Sequence, residues 1–151
     1  MLKYCRDKWY ENKDILEERI RGDRHLNSCG YEYLVKLVVD CILRDSEDVY
    51  ERFDTDKITV IDNGDYQGTQ LFVIPLKTYQ PSANEYLITY VDYGSCSGCD
   101  TLLSIQEWGN KLPTEQQVKD YMTLCKDLVC NMVKPFDFDF RFDEKFREIA
   151  K

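Results

Sequence analysis

The sequence predicts an α+β fold, a small antiparallel three- or four-stranded sheet packed with N-terminal and C-terminal helices. Two observations carry that expectation. Near both ends of the chain apolar residues recur at spacings of three and four, the pattern of helix faces turned towards a core. Between them the period shortens in three β-rich runs, KITVID, TQLFVIP and EYLITYVDY, separated by the turn-forming stretches NGDYQG and QPSAN. Runs joined by such short connections pair antiparallel, as a meander. With 151 residues, 43% hydrophobic and 32% charged, the chain has the length and balance of one globular domain spanning 1–151.

The elements follow in order. Trp9 to Ile20 is the first expected helix, with Ile15, Leu16 and Ile20 on its apolar side and Gly22 breaking it. Ser28 is placed to cap a second helix, whose stripe is Tyr31, Leu34, Leu37, Val38, Cys41 and Ile42. Cys41 lies on that stripe and is expected in the core. The acidic SEDVYERFDTD is expected to form a further short helix. Leu71 to Ile74 is apolar on both faces, as a central strand requires, and Pro75 should end its ladder or form a bulge. Asp100 can cap a short helix through Trp108. Pro113 opens a longer one from Thr114 to Lys134, with the stripe Val118, Tyr121, Met122, Cys125, Leu128, Val129 and Met132. The final stretch alternates Phe136, Phe138, Phe140 and Phe142 with charges, a strand signal that turns helical towards Phe146 and Ile149.

No apolar run reaches the ~20 residues of a membrane-spanning helix, and the start, MLKYCRDKWYENKD, has no signal-peptide core. A cytoplasmic protein without a membrane partner is expected. Its seven cysteines should then pack, ligate metal or react rather than form a disulfide framework.

Cys96 and Cys99 lie in YVDYGSCSGCDTLL, the stretch with most chemical character. A Cys-x-x-Cys turn directs two sulfurs to one point, about 2.3 Å from a zinc ion, and Gly94 and Gly98 would supply its permissive backbone. Cys130 and His25 are the first candidates to complete a zinc site, then Cys125; Cys29 and Cys5 are the remaining donors. On a helix Cys125 and Cys130 point about 140° apart, so one ion is not expected to take both. Two alternatives use the pair differently. A thiol–disulfide redox protein would place Cys96 at a helix start as nucleophile. Two thiols can also simply fill a turn. Chemistry elsewhere is sparse. There is a single histidine, GDYQG lacks the Lys-Ser/Thr ending of a phosphate loop, and no spacing singles out an acid–base couple. A binding protein is expected rather than an enzyme.

The net charge of −8 is unevenly placed. Asp45 to Asp100 holds 11 acidic and three basic side chains, which leaves 17 of each sign elsewhere. Such asymmetry disfavours direct contact with nucleic acid and favours a basic partner, although a merely solvated face has the same composition. Glu47, Asp48, Glu51, Asp54 and Asp56 are the candidate contact residues. On a helix Glu47 and Asp48 would share a face with Glu51 and form a negative ridge.

Tyr93-Gly94-Ser95-Cys96-Ser97-Gly98-Cys99-Asp100, with the later Asp120-Tyr121-Met122-Thr123-Leu124, resembles a group of small uncharacterised phage-encoded proteins. The resemblance covers the middle and later thirds of the chain. In its small, acidic character the chain also resembles anti-CRISPR inhibitors of type II RNA-guided nucleases. That likeness implies stoichiometric binding: carboxylates on one face occupying basic surface that otherwise takes nucleic acid, with zinc serving the fold and the host cytoplasm as the place of action.

Overall fold

Helix α1, Lys3–Arg21, owes its position to Cys5, Trp9, Leu16 and Ile20, which fall on one side of a helix and are buried. In this computed structural model, which describes residues 2–43 and 46–135, the helix begins six residues before the expected Trp9. Cys5 is the reason, since it extends the buried stripe by another turn and contacts Met132. Ile15 was expected on the apolar side but is 58% exposed. It sits about 100° around the axis from Leu16, off the stripe that Leu16 and Ile20 define.

Helix α2, Tyr31–Val38, buries Tyr31, Leu34, Val35, Leu37 and Val38, then widens into a π-helical turn at Val39–Leu43. The Ile42 carbonyl in that turn accepts a hydrogen bond from Asn12 Nδ2 at 2.8 Å. Ser28 is not the cap. It lies in a 3-10 turn, Leu26–Ser28, where its hydroxyl donates to the His25 carbonyl, and Gly30 precedes the helix instead. Cys41, expected in the core, is half-buried at its edge instead.

The sheet is the expected antiparallel meander, β1 (Thr59–Asp62), β2 (Gly68–Pro75) and β3 (Tyr86–Tyr93), in spatial order β1-β2-β3. Pro75 ends β2, pairing with Tyr86. One face carries Phe72, Ile74 and Leu87 into the main core with the helices; the other holds a smaller cluster of Leu71, Ile88 and Val133. Central-strand β2 therefore needs apolar residues on both sides.

After β3 come α3 (Thr101–Ile105) and α4 (Glu115–Cys130). Helix α3 ends at Ile105, before the fully exposed Trp108. Thr114 and Gln117 form a reciprocal capping box at the start of α4. The expected stripe faces the core throughout, with Met122 only partly covered. The far end of α4 is fixed to β3, where Thr89 Oγ1 donates to the Leu128 carbonyl at 2.6 Å and Asn131 Nδ2 to Tyr90 O at 3.2 Å. Val133 then pairs with Ile88 along the edge of β3. The alternating phenylalanines beyond Pro135, and Asp45 at the start of the acidic segment, lie outside the described residues.

Candidate functional site, a two-cysteine turn

β3 ends at Tyr93 and α3 begins at Thr101, so Gly94 to Asp100 must reverse the chain between a strand and a helix. Asp100 organises the reversal. It is 6% exposed, and its carboxylate accepts three hydrogen bonds: from Tyr31 Oη at 2.8 Å, from the Gly94 amide at 2.9 Å and from the Leu103 amide at 3.0 Å. The first ties the turn to α2, the second closes the turn on itself, and the third caps α3. Tyr31 in turn accepts the Leu102 amide at 3.1 Å. Burial pushes the Tyr31 hydroxyl well above its ordinary range, which keeps it a donor to the carboxylate.

Within this frame the two cysteines converge. Both are exposed, and their sulfurs lie 2.7 Å apart. The Cys99 amide donates to Cys96 O at 3.1 Å, and the Cys96 amide donates to Cys99 Sγ at 3.2 Å. Cys99 Sγ also lies 3.3 Å from Cys96 O, which accepts its proton when it is a thiol. Hydrogen bonds from the Cys96 side chain and then its amide hold Cys99 below the ordinary thiol range, against desolvation and the neighbouring Asp100 carboxylate.

The two glycines are not equivalent. A Cβ on Gly94 would meet Cys99 Sγ at 2.5 Å, whereas one on Gly98 would find only Cys96 Sγ at 4.0 Å. Close approach therefore requires glycine at 94. Gly98 does not have the positive φ that would demand glycine.

Other cysteines have a different character. Burial pushes Cys5 up to about 11, Cys29 to about 12, and Cys41 and Cys125 upward as well. Each lies in or against the core, and a raised pKa leaves it less thiolate than an ordinary cysteine has.

The zinc expectation meets only half of its donor set. Among the described residues no group of three or more His, Cys, Asp or Glu side chains is placed to hold a metal ion. Cys96 and Cys99 are thus brought together, and Cys130 and His25 do not join them. Cys130 closes α4, next to the Asn131 that docks on β3. His25 is exposed before the 3-10 turn, its amide donating to Asp23 Oδ1.

The chain matches no protein-family profile, no curated protein and no solved structure. Among the described residues no helix is long and apolar enough to cross a membrane.

The acidic candidates lie on a different part of the molecule. Instead of one helix the segment forms two 3-10 turns, Val49–Glu51 and Thr55–Lys57, each led by an aspartate, with Glu47 ahead of the first. Asp48 accepts the Tyr50 amide and Asp54 the Asp56 amide, so these two carboxylates are used as caps. Between the turns the chain is pulled against the sheet by Phe53 opposite Leu76 and by the Asp54 amide on Pro75 O. A continuous helix would break those pairings, and the single ridge expected from the sequence does not form. Glu47, Asp48, Glu51 and Asp56 are nonetheless exposed, and Asp54 is half-buried.

Sequence reasoning identified Asp100 as a cap and Tyr31 as core, but missed that they bond to each other. They are 69 positions apart, and no local pattern connects them.

Proposed function

We propose that the protein carries a redox-active dithiol and exchanges electrons with a disulfide of another molecule. The observation behind this is the convergence of two exposed sulfurs, 2.7 Å apart, on a turn braced by a buried carboxylate. A pair so placed needs little backbone movement to form a disulfide, because the bond requires the sulfurs to meet at about 2.05 Å. Exposure gives a partner disulfide access, and the hydrogen bonds that lower the Cys99 thiol raise its thiolate fraction above that of an ordinary cysteine. Equilibration in glutathione redox buffers, followed by peptide mapping, tests the proposal. A reversible Cys96–Cys99 disulfide is expected. Stoichiometric metal held through purification, with no disulfide formed, would replace it with the zinc alternative.

A second reading is the acidic binding inhibitor, directed at a basic protein that handles nucleic acid, such as a type II RNA-guided nuclease. It is supported by Tyr50, which is 71% exposed and stands among the exposed Glu47, Asp48 and Glu51. An aromatic ringed by charge suits a protein interface. Reversing Glu47, Asp48 and Glu51 to lysine should slow association and reduce its salt dependence. The control is an equal reversal at Asp14, Glu107 and Asp127. Glu17 and Glu18 are unsuitable because both pair with Arg21. Equal loss in both variants would remove the acidic segment as the contact.

A further inference from the structure

The two sulfurs of the turn are close but not equivalent. Cys99 Sγ receives the Cys96 amide at 3.2 Å and lies 2.7 Å from Cys96 Sγ, which can donate its own proton. Among the described residues no backbone amide donates to Cys96 Sγ. Cys99 Sγ also rests where any side chain at position 94 would strike it, so its place is set by the backbone. A thiolate at 99 has two donors within the turn; a thiolate at 96 has at most the Cys99 thiol.

We infer that Cys99 is the attacking thiol and Cys96 the resolving one, an assignment that rests on the dithiol reading above. It reverses the order expected from the sequence, where the first cysteine was placed at a helix start. Helix α3 begins only after Asp100, so neither sulfur occupies that position, and hydrogen bonding inside the turn decides instead. Two groups oppose a thiolate at 99. The Cys96 carbonyl faces it at 3.3 Å, and Asp100 follows it in the chain. Asp100 is engaged by its three donors and points into the protein, which limits its effect on an exposed sulfur. The net direction for Cys99 is downward.

The chemistry balances in two exchanges. Cys99 thiolate attacks one sulfur of a partner disulfide; a Cys99–sulfur bond forms, the partner bond breaks, and the departing thiolate takes a proton from water. Cys96 then loses its proton to water and attacks Cys99 Sγ. The Cys96–Cys99 bond forms and the second partner sulfur leaves, also to be protonated. Two electrons pass from the dithiol to the disulfide, and two thiols are released.

Iodoacetamide at limiting concentration, applied to the reduced full-length protein and followed by peptide mapping, reads the assignment without any substitution. Cys99 should be modified about tenfold faster than Cys96 at neutral pH. With glutathione disulfide, Cys96→Ser should trap glutathione on Cys99 about tenfold faster than Cys99→Ser traps it on Cys96, since both serines offer a hydroxyl but only Cys99 also keeps a backbone amide donor, that of residue 96. Should the wild-type pair form its disulfide while Cys96 is alkylated first, or the two variants trap glutathione at equal rates, the assignment is overturned and the dithiol reading survives. Should the wild-type pair form no disulfide in any glutathione buffer, both fall together.

Discussion

Replacing Gly94 with alanine would set a methyl carbon 2.5 Å from Cys99 Sγ and 2.6 Å from Cys99 O. The second contact is backbone, so the turn itself must shift, at a cost of about 1–3 kcal/mol. Gly98→Ala meets nothing closer than 4.0 Å and should leave stability within about 0.5 kcal/mol of wild type. Denaturant melts of the two variants check the contrast, and equal midpoints would show that the close approach at 94 does not constrain the turn. Asp100→Asn keeps the shape but replaces one acceptor oxygen by a donor, opposite the Gly94 amide or opposite Tyr31 Oη and the Leu103 amide. A loss of about 1–3 kcal/mol is expected by the same measurement.

Among the elements, α4 shows best how a helix end is satisfied from outside. Its last carbonyls lack partners within the helix, and Thr89 of β3 gives one to Leu128 O from a fully buried position. Thr89→Val keeps the volume and removes that donor, so α4 should undock locally at a cost of about 1–3 kcal/mol. Hydrogen exchange faster than wild type in the last turn of α4, with its middle turns unchanged, would verify this. The stripe of α4 and the three strand runs were legible in the sequence because each is a local period imposed by one buried face. Ser28 misled because a good capping side chain does not decide where backbone turns, and its hydroxyl found the His25 carbonyl instead. The acidic segment misled similarly. Helical spacing of Glu47 and Glu51 could not outweigh Phe53 and Asp54 pairing with the end of β2.

For the whole molecule, the buried thiols set a limit at high pH. Cys5 and Cys29 are raised by burial from 9.0 to about 11 and about 12. Unfolding exposes them to release their protons first, so the unfolded state binds fewer protons above 9.0 and stability falls as pH rises. Their contribution is intact below 9.0 and drains away towards about 11 and about 12. Melting temperature, measured with the thiols kept reduced, should fall as pH rises above 9.0; a flat profile from there to pH 11 would show that these thiols are not sequestered. The convergence of the two sulfurs was legible as two cysteines at the right spacing, but the relation that fixes the turn was not. Tyr31 and Asp100 meet only because α2 and the end of β3 pack together, and packing is a property of the complete chain. The bond between Gly94 and Asp100 closes a loop of chain whose ends are six positions apart. Such a loop behaves as an insulated terminal. Because that bond lies behind the sulfurs and does not involve them, a change of oxidation state there, on the dithiol reading, should be felt by whatever touches the tip and hardly at all by the core behind it.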